Sequence, residues 1–241
     1  MRRASHPVLG LETSSRLLGV ALVRGEEVLG SRERLGPAPN ADALRTVVEE
    51  VLDAAHLTVE ALGGIAVSIG PGSFTGLRIG VSFVKGLVVA SDVPVIAVPT
   101  LEAIAHNCWS ARGTVCVVVD AKQDKLYAAC YRATRGRFTP LGHERLGTIP
   151  ELSSLLRCGT LLVGDGLARY GGLLQRQLKR SVPCAPQELW WPRATTVARL
   201  GARALAHGRR DDPQTLTPRY LYSRYCSIQH TGQRAEGRGQ R

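Results

Sequence analysis

One local arrangement occurs twice in the chain. Val8-Leu9-Gly10-Leu11 is a short apolar run that closes on an acid, Glu12, and the polar turn Thr13-Ser14-Ser15-Arg16 leads into an alternating run from Leu17 to Val23. In the second half, Val115 to Val119 closes on Asp120, the polar turn Ala121 to Lys125 follows, and Leu126 to Tyr131 alternates again, with the two acids 108 residues apart. A buried strand that ends on an acid and turns at once into another strand is an antiparallel pair whose turn carries a carboxylate. Two such units, separated by helix and strand signals in alternation, limit the chain to two sheet-containing lobes. Duplication, with the opposed turns facing one cleft, and two independent units of like pattern both fit, because the similarity is of pattern and not of identity.

The intervening elements follow from periodicity. Arg24-Gly25-Glu26 turns into a third strand, Glu27 to Arg32, and Pro37-Ala38-Pro39-Asn40 breaks the chain. Asn40 is placed to cap a helix with apolar positions Leu44, Val47, Val48, Val51, Leu52 and Ala55. A strand is expected at Gly64 to Ile69, a helix from about Thr75 to Ala90, a strand at Val95 to Val98 and a short helix capped by Thr100. Further on, Leu161-Leu162-Val163 enters Gly164-Asp165-Gly166 and a helix to Arg180, and residues 195–207 form the last helix. The expected division is a first lobe at 1–105, a reduced second lobe at 106–210 whose last helix packs back on the first, and a basic tail at 211–241. The last dozen residues of that tail have a disordered composition.

Composition excludes several classes. With 44% hydrophobic and 21% charged residues the chain is globular. The most apolar region, Gly76 to Pro99, is interrupted by Arg78, Lys85, Asp92 and Pro94, so no membrane span is expected. Met1 to Pro7 carries two positive charges with no apolar core behind them, which speaks against a secretory signal. Six cysteines and six histidines are dispersed, with no Cys-x-x-Cys and no histidine pair at helical spacing; a reducing, cytoplasmic compartment and no metal site are expected. The net charge of +11 divides unevenly: residues 1–105 hold 9 Lys and Arg against 11 Asp and Glu, so all the basicity lies beyond them. Twenty-seven of the 31 basic residues are arginine, which fits a solvated arginine-rich surface and equally a surface that meets phosphate.

Gly70-Pro71-Gly72-Ser73-Phe74-Thr75-Gly76-Leu77-Arg78-Ile79-Gly80 joins a buried strand to a helix through a glycine-rich loop. Such a loop can cradle an anion. The nucleotide motifs nevertheless fail, because Leu77 stands where a P-loop needs Lys and Thr75 where a dinucleotide fingerprint needs Gly. Ser73 lacks the flanking glycines of a nucleophile elbow. Gly72, Gly76 and Gly80 recur every four residues and flatten one helix face, either for close packing within the lobe or for a helix of a partner. Interior Gly80 and Gly86 each cost about 1 kcal/mol against Ala, so something is gained in exchange. Arg78, one turn along, is either a solvated residue or a partner contact.

That eleven-residue segment, with Leu9-Gly10-Leu11-Glu12-Thr13-Ser14 before it and Val98-Pro99-Thr100-Leu101-Glu102-Ala103 after it, resembles the TsaB (YeaZ) family. The resemblance covers about residues 8–131, with Asp120-Ala121 and Tyr127 also in family positions, and fades from Arg132 onward. It departs from the family pattern at Glu12, where many members have Asp, and at Pro39-Asn40-Ala41-Asp42, where many have a His-Ser-Glu-like stretch. The resemblance implies an actin-like, Hsp70-like (ASKHA) α/β fold of two lobes. It also implies a non-catalytic role beside a TsaD-type enzyme that makes threonylcarbamoyladenosine next to the tRNA anticodon. A TsaE-type ATPase joins such an assembly, tRNA meets it as a whole, and the chain pairs with a second copy when alone. The implied partner surface comprises Gly72, Ser73, Phe74, Thr75, Gly76, Arg78 and Gly80. No metal or resident cofactor is implied beyond ATP or ADP held weakly or at an interface.

The residues themselves point the same way. Glu12, Thr13, Ser14 and Asp120 would line a vestigial nucleotide cleft, yet neither cleft turn contains the glycine that lets backbone N–H groups approach phosphates. Gly164-Asp165-Gly166 is either a plain strand-to-helix turn or the remnant of an adenosine loop. Two other classes stay open: a small-molecule kinase of the same fold, with Glu12 as general base and Asp120 as metal-phosphate anchor, and a basic tRNA-binding module driven by the second half.

Overall fold

The computed structural model describes residues 6–36, 39–155, 159–178 and 182–221. Pro37 and Ala38 of the expected breaker, the expected end of the fifth helix at Arg180, Cys158 and Cys226, and the tail from residue 222 lie outside them. The first sheet holds β1 (Val8–Glu12), β2 (Leu17–Arg24), β3 (Glu27–Leu35), β4 (Gly64–Gly70) and β5 (Val95–Pro99) in the order β3-β2-β1-β4-β5. β1, β2 and β3 form an antiparallel meander, while β4 and β5 join parallel to β1. The second sheet holds β6 (Gly113–Asp120), β7 (Leu126–Thr134), β8 (Arg137–Pro140), β9 (Arg145–Gly147) and β10 (Thr160–Val163) in the order β10-β6-β7-β8, with β9 also on β7. Both sheets contain one kernel: a central strand, an antiparallel hairpin on one side of it and a parallel strand on the other. The twice-occurring pattern of the sequence is this kernel.

Helices cover the sheets. α1 (Ala41–Ala54) is capped as expected, with Asn40 Oδ1 accepting from Ala43 N at 2.8 Å, and buries Leu44, Val47, Val48, Val51 and Leu52. α2 (Phe74–Ser91) packs beside it, burying Leu77, Val81, Val84 and Val88 in the same core. By length and composition α2 is apolar enough to cross a membrane, contrary to the expectation from Arg78 and Lys85; one side of it is packed on its own sheet. α3 (Thr100–Asn107) begins at Thr100, but the Thr100 hydroxyl does not cap it and instead accepts from Gly70 N at 3.1 Å, tying β4 to the start of the helix.

α4 (Ile149–Ser153) and α5 (Gly166–Leu178) lie on the second sheet, and α6 (Ala194–Ala206) on the first. A Cβ at Gly10 would strike the Ala194 carbonyl and Ala198, and one at Gly201 would strike Ala66, so glycines on both surfaces bring α6 down onto β1 and β4. Asn107 ties this return to the second lobe's connecting loop. Its Nδ2 donates to the carbonyls of Leu189 at 3.0 Å and Trp191 at 2.7 Å, and its Oδ1 accepts from Thr196 at 2.8 Å.

Beyond α6 the described residues stay on the body as far as residue 221, whereas the sequence led to the expectation of a basic tail from residue 211. Asp211 bridges to Val95 and accepts from Ala97 N at 2.7 Å, Leu216 is buried in the first core, and Arg219 N donates to Ile69 O at 2.6 Å. Arg219 also pairs with Glu144 of the second lobe at 3.4 Å. Residues 211–221 thus form a strap along the β5 edge and across the mouth of the cleft.

Candidate functional site

The two acid-bearing turns face a cleft of about 990 Å³ between the sheets. Its walls are Ser14 to Arg16, Pro71 to Phe74, Asp120 to Lys122, Tyr127, Asp165, Trp190 to Pro192 and, from the strap, Pro218 and Tyr220. Of the four residues expected there, only Ser14 and Asp120 reach it. Glu12 and Thr13 are fully buried beneath its floor.

Glu12 is a buried positioning group, not a base open to a ligand. Its Oε1 accepts from both the amide and the hydroxyl of Ser14 at 2.5 Å, which folds the turn back on itself, while Oε2 has no partner. Burial lifts this carboxyl to about pH 7, against the lowering effect of Ser14 and neighbouring Ser68. Asp120 is engaged as well. Its carboxylate accepts from Lys122 N and pairs with Lys122 Nζ, both at 2.8 Å. Partial burial alone would raise it, but those bonds and the charges of Lys122 and Arg169 hold it below the usual carboxylate range. Asp120 N donates to Asp165 Oδ1 at 3.1 Å, and burial raises Asp165.

The turn after Asp120 places Lys122, Gln123 and Asp124 at φ of 64°, 50° and 57°, so positive φ is reached there without glycine, at a cost of roughly 1–2 kcal/mol per residue. The side chains that glycine would omit remain. In Gly164-Asp165-Gly166, Gly164 sits at φ 122° and a Cβ there would collide with the Val118 carbonyl, and the turn brings Asp165 to the cleft wall. Among the described residues no group of three His, Cys, Asp or Glu could hold a metal ion.

The glycine face of α2 turns inward. A Cβ at Gly72 would meet the Ser14 carbonyl, one at Gly76 the Thr13 carbonyl, and one at Gly80 the Thr13 hydroxyl. Ser73 N donates to Ser14 O at 2.7 Å, and the Ser73 hydroxyl caps the helix through Gly76 N at 3.2 Å. The four-residue spacing therefore serves close packing of α2 on the β1–β2 turn, which corrects its assignment as a partner face. Gly72, Gly76 and Gly80 are not available on that side; Phe74, Thr75 and Arg78 are exposed.

Arg78 lies 4.0 Å above the Phe74 ring and donates from Nε to the Tyr220 hydroxyl at 3.3 Å, and Tyr220 stacks on Phe74 with centroids 5.1 Å apart. The sequence had marked Phe74 and Arg78 but not Tyr220. A different stripe faces outward along α2: Thr75, Ser82, Gly86 and Val89 are exposed, Ile79 and Phe83 beside them are half-buried against the first core, Val89 is 84% exposed, and no atom lies within 4 Å of a Cβ placed at Gly86.

Two mixed sheets flanked by helices around a central cleft define an α/β protein of the ASKHA class. A ROK hexokinase from Thermus thermophilus shares this fold alone, at 12% identity and a TM-score of 0.50, with 84% of this chain and all of that one covered. The chain matches the family described as TsaD, tRNA N6-adenosine threonylcarbamoyltransferase, over residues 40–183, and belongs to it, within the TsaB (YeaZ) group. YeaZ from Pseudomonas aeruginosa superposes with a TM-score of 0.78 at 28% identity, covering 89% of this chain and 99% of that one. The tRNA threonylcarbamoyladenosine biosynthesis protein TsaB of Bacillus subtilis is 31% identical over 129 residues, 54% of this chain. That match spans about half the relative's length, 56%. The chain is thus a TsaB-family protein, and its named relatives are proteins of tRNA threonylcarbamoyladenosine biosynthesis.

Proposed function

We propose that the chain is the non-catalytic assembly subunit of that biosynthesis, acting in the cytoplasm, and that the outward face of α2 docks a TsaD-type catalytic subunit, or a second copy of the chain when that subunit is absent. A TsaE-type ATPase and tRNA join the assembled complex. The observation that carries the reading is Gly86. It costs about 1 kcal/mol in mid-helix, and nothing in its own fold needs the space it leaves. It lies on a stripe of small and apolar side chains at helical spacing, which lets a second helix approach closely. Its inward counterparts Gly76 and Gly80 show what that approach looks like when it is made within the chain. A scaffold role also suits a cleft whose acids are committed to Ser14 and Lys122.

The test is copurification with a TsaD-type subunit, with mass measured with and without ATP. Gly86→Glu and Val89→Asp are expected to abolish the complex while leaving the melting temperature unchanged. A complex of undiminished affinity with both variants would overturn the docking face. Robust phosphotransfer by the isolated chain, lost in Asp120→Asn, would overturn the non-catalytic role.

A further inference from the structure

The second sheet carries arginines along its open edge that the fold does not use. The side chains of Arg132, Arg135, Arg137 and Arg145 are exposed and make no hydrogen bond or ion pair among the described residues. Other surface arginines are engaged, Arg34 with Glu50, Arg45 with Glu49, Arg203 with Glu26 and Arg209 with Asp211, and others such as Arg16, Arg24 and Arg210 stand unpaired at scattered positions; what sets the second-sheet group apart is that it is gathered on one hairpin. The pairings Thr134↔Arg137 and Ala128↔Arg145 put Arg137 and Arg145 on the same face of the sheet as Arg132, since cross-strand partners share a face and β7 alternates with period two. By strand rise the positions follow at about 7 Å and then about 13 Å along β7. Arg135 stands at the tip, in the tight turn between β7 and β8.

The one acid between residues 126 and 147, Glu144, is taken by Arg219. Asp120 and Asp124 sit at the opposite end of the hairpin. The pairing Gly113↔Ala133 brings the connector before β6 to the arginine end, and that connector carries Trp109, 73% exposed, and Arg112.

Charge on an edge strand discourages strand pairing between molecules, but lysine or glutamate does that equally well. A one-sign group of unpaired guanidinium forks at the end of the sheet that also carries an exposed indole instead matches phosphate oxygens along a strand and an unstacked base. We propose that the edge formed by Arg132, Arg135, Arg137 and Arg145 binds the phosphate backbone of RNA, with Trp109 as a stacking surface. The choice of RNA rests on the family's tie to tRNA modification; it does not depend on the docking face of α2, and the test needs no second subunit.

The full-length chain is titrated into a fluorescein-labelled tRNA anticodon stem-loop, followed by anisotropy, from about 50 to about 200 mM salt. The logarithm of the association constant is expected to fall linearly with the logarithm of salt concentration. Arg132→Ala and Arg137→Ala are each expected to reduce the slope by about 0.7–0.9, and the double variant by twice that. Trp109→Ala is expected to weaken binding about tenfold with no change in slope. Arg45→Ala on α1, in the first lobe, is the control and is expected to change neither quantity. An unchanged slope in the double variant, an equal effect of Arg45→Ala, no binding at about 50 mM salt, or equally tight binding to phosphatidylserine vesicles would each overturn the proposal. These outcomes separate from the docking reading, because the same arginine variants are expected to copurify with a TsaD-type subunit as the parent chain does.

Discussion

Gly76 rests against the carbonyl of Thr13 so closely that a side chain of any size there would overlap a backbone oxygen. The contact joins the start of α2 to the buried turn under the cleft, and Gly80 repeats it against the Thr13 hydroxyl one turn later. Alanine would add about 1 kcal/mol of helix propensity at either place, yet overpacking against an obstacle that cannot move costs about 1–3 kcal/mol or more. Gly76→Ala is therefore expected to destabilise the protein, with the loss seen as a lower denaturation midpoint. Gly80→Ala meets the end of a side chain instead, so Thr13→Ala is expected to rescue it in a double-mutant cycle, whereas no partner substitution rescues Gly76→Ala. Equal stability of Gly76→Ala and the parent chain would refute the contact.

Glu12 makes stability depend on pH. Its carboxyl titrates near pH 7 when folded against an ordinary value of 4.5, because burial penalises the anion. Below pH 4.5 both states hold the proton and the fold bears no cost. As pH rises from 4.5 to 7 the unfolded chain releases the proton first, so stability is lost across that window and levels off above it, by about 3 kcal/mol in total. Glu12→Gln keeps an oxygen to accept from Ser14 and has no charge to bury. The variant is expected to melt several degrees higher at pH 8, to match the parent near pH 4, and to lack the slope between. Parallel curves for the two proteins would rule this out.

Strands with local alternation were legible to within a few residues, as were the helix that Asn40 caps and the Gly80-bearing helix, because strand or helical periodicity is local. β8 and β9 were not. Arg137-Phe138-Thr139-Pro140 and Arg145-Leu146-Gly147 are too short to show a period, and they exist as strands because β7 offers them an edge. The spacing of Gly72, Gly76 and Gly80 announced a close approach but not its target, which lies some sixty residues earlier in Thr13 and Ser14. Glu12 and Asp120 were correctly seen to close equivalent strands. That the first points under the cleft and the second into it depends on Ser14 and Lys122, which no periodicity reports. The strap was hidden by its arginine- and proline-containing composition, although Leu216 and Tyr220 were there to anchor it.

Leu216 tests whether the strap is part of the body. It is 5% exposed among core residues of the first lobe, and Lys85 Nζ donates to the Gln214 carbonyl beside it at 3.2 Å. Truncating a buried leucine removes its transfer free energy and leaves a cavity, so Leu216→Ala is expected to cost about 2–3 kcal/mol, read from urea denaturation with an unchanged m value. Tyr220→Ala removes only a half-exposed stack and one hydrogen bond, and is expected to cost less than about 1 kcal/mol. Because Phe74 and Arg78 are then uncovered, the second variant separates a structural strap from one that also screens the end of α2. A loss under about 0.5 kcal/mol for Leu216→Ala would mean that residues 211–221 do not hold this position, a result typical of surface substitutions.

Asn107 directs both amide N–H groups and its amide oxygen at the junction of the lobes, with two N–H bonds into the loop that carries Trp190 and Trp191 and one accepted bond from α6. Asn107→Ala leaves two carbonyls and a hydroxyl without partners, and is expected to cost about 2–3 kcal/mol. Asn107→Asp has almost the same shape and still accepts from Thr196, but it turns a carboxylate oxygen toward two carbonyl oxygens. At pH 7 it should therefore be less stable than the alanine variant, even though alanine deletes the entire group. The folded state would favour the protonated acid, which can donate to one of the two carbonyls, so the Asp variant should regain stability as pH falls toward the ordinary aspartate value while the Ala variant does not. Unfolding followed by tryptophan fluorescence reads this directly, because two of the three indoles lie in the loop that Asn107 holds. An Asp variant as stable as the parent at pH 7 would show that the amide of Asn107 does not donate to that loop.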